Sequence, residues 1–577
     1  MILTLYLSLI YVLRLVASLP AEKNFFNPIL PGWNSDPSCI FVAEADNIFF
    51  CTTSSFLAFP GLPIYASKDL RNWYLISNAL HHPSQLPDFK NTSRPDEGIF
   101  APTLRYNQGR YYLVTVYYAV SIGVFKTLLF ETSNPFNQSA WGVPVECTTL
   151  GYDPDLFWDD DGQSYLTASR SSHGGIVQAP IDLVNGQLLG EQYHLWNGSG
   201  GAWPEGPHMY KKDGFYYLMI AEGGISIDHM ETIARSEHLK GPYTSYHKNP
   251  ILTNRNSSEY FQTVGHADLF KDAEGNWFGA ALATRSGPQW KNFPMGRETC
   301  LFPVTWKERQ WPELAPVRGI MDGSSLPSRS GWRPWDSQLV AGPDVIDFGP
   351  SSSFPKHFVH WSLPDPSAYV ISPKDHLYSL GLQPSKTNLT GDLILPAAQK
   401  RTLIARRQAH SLFAFEVDIL FRPNVRGEEA GVTVFLTPQQ HLDLSIGSAD
   451  YDSATLTDMF KVVDIGRSET KDLPANVHTL SKQWQQSPIR LEVRGVNETT
   501  YRFAARLVGD RRSHEYVFYA PAAVVSAGAG HFTGALLGVY ATANGGNGTT
   551  EAYVSRWRYT PQGQVVDYAV VIPHGRP

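Results

Sequence analysis

The chain has 577 residues, a net charge of −7, 41 prolines and 47 glycines. This length exceeds what one hydrophobic core usually serves, so two or more domains are expected. The acidic balance and the lack of a basic run argue against a nucleic-acid or membrane-surface partner and suit a neutral substrate. Frequent turn residues and a 13% aromatic content favour many short strands over helix bundles.

Residues 1–21 are predicted to be a secretory signal peptide. They form an apolar run that ends in small residues, is short for a membrane span and is interrupted by Arg14. The alternative is a membrane anchor, since no basic residue precedes the run. Seven Asn-X-Ser/Thr sites fit a secreted, extracellular glycoprotein. These are Asn91, Asn137, Asn197, Asn256, Asn388, Asn497 and Asn547.

Four cysteines, Cys39, Cys51, Cys147 and Cys300, lack the close spacing that is typical of a zinc site. In an oxidising compartment they allow three pairings of two disulfides. The alternative is that they are free, buried cysteines.

Five segments share a turn that is followed by β-branched and aromatic residues: ADNIFFCTTS, NQGRYYLVTV, DDGQSYLTAS, KDGFYYLMIA and AEGNWFGAAL. Their turn residues lie 62, 53, 52 and 61 residues apart, at Asn47, Gly109, Gly162, Gly214 and Gly275. Repeats of this length predict a five-bladed β-propeller over residues 22–320, with four-stranded blades around a central channel.

The strand before each turn also begins with a recurring segment: SDPSCIF, FAPTLRY, YDPDLFW, PEGPHMY and GHADLFK. We take Asp36, Phe100, Asp153, Glu205 and His266 as equivalent, because the turn follows them after 11, 9, 9, 9 and 9 residues. The innermost strand of every propeller blade starts near the axis. These five side chains are therefore predicted to converge at one end of the channel.

Three of the five axial residues are acids: Asp36, Asp153 and Glu205. Glycoside hydrolysis uses such a cluster, in which one acid protonates the leaving oxygen while a carboxylate on the opposite face activates water. A third carboxylate can raise the pKa of the acid. Asp-Pro and Glu-Gly-Pro are common turn formers when they occur singly. Their recurrence at corresponding positions favours a site.

Other polar residues could have either a functional or a purely structural role. His266 could bind a metal or a sugar hydroxyl, or it could be a hydrogen-bonded structural histidine. Arg297, in MGRETCLFPV, could clamp substrate hydroxyls or pair with a buried acid. Asp159, Asp160 and Asp161 resemble a calcium loop but lack its terminal glutamate, so a solvated hairpin turn is predicted.

The repeats end near residue 320. Residues 321–344 are rich in Pro, Gly and Ser and are predicted to be a linker. In residues 345–577, alternating runs such as SLFAFEVDILFR, AGVTVFLT, HLDLSIG and TYRFAARLV predict antiparallel strands of a jelly-roll β-sandwich. The predicted fold class is all-β.

Together these motifs resemble glycoside hydrolase family 43. The matching segments run in family order from about residue 27 to about 305: NSDPSCIF, TSSFLAFPGLPIYASKDLRNW, GIFAPTLRY, GYDPDLFWDDDG, WPEGPHMYK, VGHADLF and MGRETCLFPV. The later segments TLIARRQAHSLFAFEVDILF, EEAGVTVFL and HFTGALLGVY look like the concanavalin A-like sandwich that follows the propeller in the β-xylosidase branch. The resemblance thus covers most of the mature chain.

The resemblance implies roles for the axial acids: Asp36 as general base, Glu205 as general acid and Asp153 as the residue that tunes this acid. It implies an inverting enzyme that removes terminal pentoses from plant cell-wall polysaccharides, with no cofactor required. Some relatives hold a calcium ion on the axis near the histidine, here His266. The expected substrate-binding residues are Phe56, Phe100, Tyr152, His266, Arg297 and Phe532.

Two departures from the β-xylosidase pattern bear on the substrate. Relatives specialised as β-xylosidases usually have Trp where this chain has Phe100, and Phe where it has Tyr152. The sequence therefore favours an arabinofuranosidase that trims xylan side chains over a strict β-xylosidase. A non-catalytic carbohydrate-binding propeller is a further alternative. The Asp-Pro-Asn-rich start and the Arg-Asp-Pro motif of sucrose- and fructan-cleaving propellers are missing.

Overall fold

The computed structural model describes residues 24–170, 174–391, 400–450, 453–463, 470–472, 476–510, 514–526 and 532–575. The predicted signal peptide lies outside these residues. Within them, no helix has the length and apolar character needed to cross a membrane. The helical segments are short turns: 3₁₀ turns at Ala43–Ala45, Pro83–Gln85, Pro87–Asn91, Val120–Ile122, Gln138–Ala140, Pro366–Ala368 and Ala522–Val525, and an α-helical turn at Lys482–Gln486.

After β1 (Asn24–Phe26), the first part of the chain forms five antiparallel blades of strands that are consecutive in sequence. Blade one contains β2 (Ser38–Val42), β3 (Ile48–Thr52), β4 (Gly61–Ser67) and β5 (Tyr74–Leu80). Blade two contains β6 (Gly98–Asn107), β7 (Arg110–Ala119), β8 (Val124–Thr132) and β9 (Val145–Cys147). Blade three contains β10 (Tyr152–Trp158), β11 (Ser164–Ser169), β12 (Ile176–Pro180) and β13 (Tyr193–Trp196).

Blade four contains β14 (Glu205–Lys212), β15 (Phe215–Glu222), β16 (Met230–Ser236) and β17 (Thr244–Ser245). Blade five contains β18 (Phe261–Lys271), β19 (Trp277–Arg285), β20 (Glu298–Thr305) and β21 (Glu313–Leu314). The five-bladed propeller predicted from the repeats is confirmed. All five turn residues have a left-handed backbone, with φ between 56° and 85°. Four of them are glycines, the residue type that adopts this conformation without steric cost.

The segment after the last blade returns to the propeller. β22 (Ile320–Asp322) pairs with β1, so the two ends of the propeller meet. The stretch predicted as a linker includes β23 (Gln338–Leu339), which pairs with β5 as a fifth strand of blade one. Residues 321–344 therefore run along the propeller and extend one of its sheets.

The innermost strands correct the repeat alignment made from sequence. Blades two to five each contain a β-bulge at which two residues face one residue of the partner strand. The first bulged residues have left-handed backbones: Ala101, Asp153, Gly206 and His266. Asp36 has the same conformation just before β2. The alignment was therefore wrong by one residue at Phe100 and Glu205, which directly precede their bulges.

The cysteines follow neither sequence alternative completely. Cys39 and Cys51 face each other on β2 and β3 and form a disulfide. Cys147 and Cys300 are free and buried. None of the seven predicted glycosylation asparagines is buried, and five of them are exposed.

The second part of the chain is a β-sandwich of two antiparallel sheets, as predicted. One sheet has the order β26-β27-β39-β29-β35-β36-β37, with β24 and β40 also on β39. Its strands are β24 (Asp344–Ile346), β26 (Tyr369–Ile371), β27 (Leu380–Leu382), β29 (Leu412–Leu420), β35 (Ile489–Asn497), β36 (Thr500–Leu507), β37 (Tyr516–Pro521), β39 (Ala552–Asp567) and β40 (Val570–Pro573).

The other sheet has the order β25-β28-β38-β30-β31-β32-β33, with β34 also on β32. Its strands are β25 (Phe358–Val359), β28 (Thr402–Arg407), β30 (Glu429–Thr437), β31 (Gln440–Asp450), β32 (Ser453–Val463), β33 (Thr470–Asp472), β34 (Asn476–Thr479) and β38 (Leu536–Thr542). Alternate residues such as Phe413, Phe415 and Val417 of β29 pack with Val432 and Val434 of β30 in the core between the sheets.

The sandwich packs against the propeller beside the axis. Ala535 N donates a hydrogen bond to Pro294 O, and a Cβ atom on Gly296 would lie 2.1 Å from Thr533 O. Glycine is therefore needed where the two backbones approach each other. This contact fixes the sandwich next to Arg297 and places Phe532 at the end of the channel.

Candidate active site

A cavity of about 460 Å³ opens at one end of the propeller axis. All nine residues predicted to form the site line this cavity: Asp36, Phe56, Phe100, Tyr152, Asp153, Glu205, His266, Arg297 and Phe532. The propeller supplies eight of them, and the sandwich supplies Phe532. The predicted convergence is confirmed, and the individual roles of these residues stay predictions.

Asp36 lies buried at the start of blade one, and three groups approach its carboxylate. Ser54 Oγ donates a 2.5 Å hydrogen bond to Asp36 Oδ2 and itself accepts one from the Ala101 amide at 2.7 Å. His266 Nδ1 and Arg297 Nη1 both lie 3.7 Å from Asp36 Oδ1. A carboxylate that is fixed in this way can accept a proton from a water molecule in the cavity. Ser54 ends the repeated segment ADNIFFCTTS, but its contact with Asp36 is not evident from the sequence.

Asp153 sits at the bulge of β10 and interacts electrostatically with both other acids. Its Oδ2 accepts a 3.0 Å hydrogen bond from the Gly206 amide. Burial raises the pKa of Asp153, and the charge of Asp36 acts in the same direction, whereas His266 and the Gly206 hydrogen bond oppose it. The carboxyl is thus tied to the backbone that carries Glu205.

Glu205 has a carboxyl group that holds its proton at neutral pH. Burial and then the negative charge of Asp153 raise the pKa of Glu205 to about 8, against the opposing effect of Arg297. Its side chain is 23% exposed, so the proton can reach a bound molecule. A protonated carboxylic acid in an open cavity can donate this proton to a leaving oxygen.

His229 is a neighbour of Glu205 that the sequence analysis missed. Its Nε2 lies 3.9 Å from Glu205 Oε1, and its Nδ1 lies 3.0 Å from Thr263 O. Because a carbonyl only accepts, Nδ1 carries the hydrogen and Nε2 presents a lone pair. Burial lowers the pKa of His229 to about 3, so the ring is neutral. A lone pair facing Glu205 disfavours the carboxylate form of the acid.

The sequence signal for His229 lies far along the chain, at Gly265, which packs against its ring. A Cβ atom on Gly265 would lie 2.7 Å from the His229 ring, so only glycine fits there. Gly265 belongs to the VGHADLF motif. The glycine at this position indicates that a bulky side chain packs against the backbone there. His229 itself precedes β16 and carries no repeated pattern.

Arg297 is buried, and its guanidinium carbon lies 4.9 Å from the ring centre of Phe532. Its Nη2 atom is buried and has no hydrogen-bond partner among the described residues. Burial lowers the pKa of Arg297, while Asp36, Glu205 and Asp153 raise it. The guanidinium can therefore donate to a sugar hydroxyl while it keeps its contact with Asp36.

Aromatic rings form one wall of the cavity. The Phe56 ring centre lies 4.8 Å from that of Phe100 and 5.8 Å from that of Phe532. The Tyr152 ring centre lies 4.6 Å from that of Phe125 and 5.6 Å from that of Tyr118. These contacts give the cavity rigid apolar walls around its polar end.

A second polar layer lies one step further along the inner strands. In blades two to five this layer is formed by the first residue that pairs again after the bulge, and in blade one by the first residue of β2. All five are polar and buried: Ser38, Thr103, Asp155, His208 and Asp268. Arg105 reaches into this layer, with Nη2 2.7 Å from Asp155 Oδ1 and Nη1 2.7 Å from Asp268 Oδ2. The repeated Asp-Leu-Phe of blades three and five is the sequence signal for this layer.

These donors do not fit the calcium ion that the family resemblance raised. The carboxylates of Asp155 and Asp268 both form ion pairs with Arg105, which also contacts His208 Nδ1 at 3.0 Å. Among the described residues, no group of three or more His, Cys, Asp or Glu side chains is arranged to hold a metal. Arg105 takes the place of a cation in this layer.

The acidic run in blade three forms the turn between β10 and β11, as predicted. Lys211 Nζ lies 2.6 Å from Asp159 Oδ1 and 2.7 Å from Asp160 Oδ2. Tyr216 also donates to Asp159. A lysine thus pairs with the acids that resembled a calcium loop.

Comparisons with known proteins agree with this architecture. Residues 25–312 match the profile of glycosyl hydrolases family 43, and residues 362–560 match that of the β-xylosidase C-terminal concanavalin A-like domain. A non-reducing end α-L-arabinofuranosidase of Bacteroides ovatus is 32% identical over 92% of this chain and 94% of its own length. A xylan 1,3-β-xylosidase of Vibrio sp. is 30% identical over 78% of this chain and 84% of its own length.

Two solved structures share the whole arrangement. The "Xyloglucan PUL GH43B" protein of Bacteroides ovatus superposes with a TM-score of 0.81 at 30% identity, covering 93% of this chain and 99% of its own. A xylan β-1,4-xylosidase of Bacillus halodurans C-125 superposes with a TM-score of 0.80 at 25% identity, covering 93% of this chain and 100% of its own. With the acids gathered in one cavity, these matches show that the chain belongs to glycosyl hydrolases family 43 and is a glycoside hydrolase.

Proposed function

We propose that this protein is a secreted, exo-acting α-L-arabinofuranosidase. It removes terminal L-arabinofuranose from arabinoxylan-type plant polysaccharides or oligosaccharides by an inverting mechanism, and it releases D-xylose more slowly. The observation that carries the proposal is the grouping of Asp36, Asp153 and Glu205 in one cavity, with the pKa of Glu205 raised to about 8. One group that holds a proton and one that accepts a proton are what hydrolysis of a glycoside needs.

In the proposed mechanism the two ends of the cavity act on opposite faces of the sugar. Asp36 accepts a proton from a water molecule whose oxygen attacks the anomeric carbon. The bond from that carbon to the leaving oxygen breaks, and Glu205 gives its proton to this oxygen. Asp153 keeps Glu205 protonated until this step, and Arg297 and His266 hold the sugar hydroxyls.

The preference for arabinofuranose rests on the cavity wall and on the relatives. The three acids line a cavity of about 460 Å³ at one end of the propeller axis, and a site of this kind suits the end of a chain or a branch. Phe100 and Tyr152 stand where specialised β-xylosidases usually carry Trp and Phe. The Bacteroides ovatus relative is named an arabinofuranosidase, and two further relatives are named xylosidase/arabinosidase.

The strict β-xylosidase remains the second candidate, because relatives from Vibrio sp. and Bacillus subtilis are named xylosidases. A terminal β-xylopyranose would use the same three acids. The non-catalytic binding propeller is the third candidate, and the intact set of acids disfavours it.

Secretion and metal independence belong to the same proposal. The exposed or half-buried position of all seven glycosylation asparagines and the Cys39–Cys51 disulfide both support an extracellular location. Arg105 supports catalysis without calcium, because it already forms ion pairs with the carboxylates of Asp155 and Asp268 in the second polar layer. EDTA treatment should leave turnover unchanged, and a loss that only calcium restores would refute metal independence.

A panel of 4-nitrophenyl pentosides, arabinoxylan and arabinosylated xyloglucan tests the proposal. Purified protein should release arabinose from the arabinosides and from arabinoxylan, as read by product chromatography. The variant Asp36→Asn serves as the inactive control. Release of xylose without arabinose would favour the β-xylosidase, and no release of any pentose would favour the binding protein.

A further inference from the structure

Trp203, at the mouth of the cavity, has no role in the proposed mechanism. Trp203 lines the cavity two residues before Glu205, and 51% of its surface is exposed. Its backbone is left-handed, with φ at 51°. Bulky residues rarely adopt this conformation, and strained backbone of this kind concentrates at functional sites. A tryptophan with an exposed ring and a strained backbone contributes little to the stability of the fold.

The loop that carries Trp203 is fixed by one buried carboxylate. Glu222 accepts hydrogen bonds from Ser199 N at 2.9 Å, Ser199 Oγ at 2.8 Å, Gly201 N at 2.8 Å and Thr232 Oγ1 at 2.5 Å. The Gly223 amide also donates to Ala202 O at 2.8 Å. The loop is thus tied to β15 and β16 just before Trp203 and needs no ligand to take its shape.

Close packing around Glu222 dictates the glycines of this loop. A Cβ atom on Gly198 would lie 2.5 Å from Glu222 Oε1, and one on Gly201 would lie 2.8 Å from Glu222 Cβ. Neither position could accept a larger residue without displacing the carboxylate. The stretch WNGSGGAWPEG therefore encodes a rigid support for an exposed tryptophan next to the acid.

The position of Trp203 in the chain indicates which part of a substrate it meets. Glu205 gives its proton to the leaving oxygen, whereas Asp36 acts from blade one on the opposite face of the sugar. Trp203 and Ile225 line the mouth on the blade-four side, together with Glu205. The group next to Trp203 is therefore the one that departs.

We propose that Trp203 is a specificity-determining platform on which the sugar that carries the departing oxygen stacks. Its ligand class is a pyranose residue of a polysaccharide main chain, such as a β-linked xylopyranose. The C–H groups on one face of a pyranose form an apolar surface that packs well on an indole ring. Glu222 acts through the loop as a positioning residue. This inference rests on the proposed assignment of Glu205 to the leaving-group side.

Kinetics with two leaving groups test this platform. Trp203→Ala should lower kcat/KM roughly 10-fold on an arabinose-substituted xylo-oligosaccharide. It should change kcat/KM less than about 2-fold on methyl α-L-arabinofuranoside, whose methyl group is too small to stack. Trp203→Phe should recover part of the loss, and Glu222→Gln should reproduce the selective loss. Trp335→Ala removes a 96% exposed tryptophan elsewhere and should change neither rate.

A binding measurement separates this inference from the proposed function. In an Asp36→Asn background, calorimetry with xylotriose reports leaving-group binding without turnover. Adding Trp203→Ala should weaken xylotriose binding roughly 10-fold. Equal losses on both substrates, or unchanged xylotriose affinity, would overturn the platform. A wild-type protein that cleaves no pentoside would refute the proposed function, whereas unchanged xylotriose affinity in an active enzyme would refute the platform alone.

Discussion

The Gly206 amide donates a 3.0 Å hydrogen bond to Asp153 Oδ2, so the residue after the candidate acid is held by the neighbouring aspartate. This contact joins the inner strands of blades three and four directly behind Glu205. Asp153 therefore acts on Glu205 in two ways, by its charge and by fixing the backbone that carries it. Substitutions at Asp153 can separate these two effects.

Asp153→Asn removes the charge but keeps an oxygen that can accept the Gly206 hydrogen bond. Without the nearby negative charge, the Glu205 carboxylate is easier to form, so its pKa falls below about 8. Because the acid works in its protonated form, the alkaline limb of kcat/KM should move to lower pH. Rate profiles from pH 5 to 10 measure the shift. An alkaline limb that stays in place or moves upward would contradict this tuning role.

Asp153→Ala provides the control for position, since it removes both the charge and the hydrogen-bond acceptor. Its pH profile should shift like that of Asp153→Asn, while its maximal rate should fall further. If both variants show the same maximal rate, the hydrogen bond to Gly206 does not position the acid.

Asp36→Asn should lower kcat by about 10²–10⁴-fold without unfolding the protein, because the amide cannot accept the proton of the attacking water. The matched control is Asp160→Asn, which makes the same change in an exposed turn and should leave kcat unchanged. Steady-state rates and thermal unfolding curves of both variants give the comparison. A folded Asp36→Asn protein with nearly full activity would rule out its role as the base.

Glu205→Gln should slow natural oligosaccharides by about 10²–10⁴-fold and 4-nitrophenyl arabinofuranoside far less. A nitrophenolate leaves without a proton, whereas a sugar hydroxyl requires one. The ratio of kcat/KM on the two substrates is the measurement. Equal losses on both would assign Glu205 a positioning role instead.

The stereochemistry of the product tests the mechanism independently of any substitution. Proton NMR of the first turnovers on an α-L-arabinofuranoside should show the β-anomer before mutarotation sets in. An inverting enzyme gives this result because water attacks from the face opposite the leaving group in a single step. Initial formation of the α-anomer would indicate a covalent intermediate and would exclude Asp36 as a base in a single displacement.

The fold could be predicted because each blade repeats its own pattern. Turn residues such as Gly109 and Gly162 recur about once per blade, and repeats of this length that alternate strands and tight turns are typical of a propeller. The axial acids could be predicted for the same reason, since Asp36 and Asp153 both precede a proline at the start of an inner strand. The register at Glu205 was missed because it was counted from the hairpin turn, and turn lengths differ between blades. The turn of blade four has two residues, 213–214, whereas that of blade three has five, 159–163.

The remainder of the site depends on contacts between distant segments. His229 approaches Glu205 from the position just before β16, and Ser54 reaches Asp36 from two residues after β3. His229 lies outside the repeated segments, and nothing in ADNIFFCTTS, which ends at Ser54, indicates that this serine contacts Asp36. Arg105 lies in the recurring FAPTLRY motif, yet its partners Asp155 and Asp268 come from two other blades. Such pairings arise only when the blades close into a ring.

The choice between arabinose and xylose depends on the wall formed by Phe100 and Tyr152. Phe100 packs 4.8 Å from Phe56, and Tyr152 packs against Tyr118 and Phe125. A phenyl ring in place of an indole leaves this wall wider. A furanose on a branched main chain needs that lateral room more than a terminal xylopyranose does. The double variant Phe100→Trp/Tyr152→Phe should therefore lower arabinofuranoside cleavage and raise xyloside cleavage.

Differences in pocket walls of this kind are worth about 1–3 kcal/mol, or roughly 10–200-fold in kcat/KM. The ratio of kcat/KM on the two 4-nitrophenyl pentosides should consequently reverse in the double variant, while neither activity disappears. Val143→Ala, at an exposed position of the outer part of blade two, provides the control and should leave the ratio unchanged. If the wild-type protein already prefers the xyloside and releases no arabinose from arabinoxylan, Phe100 and Tyr152 only repack the wall, and the protein is a β-xylosidase.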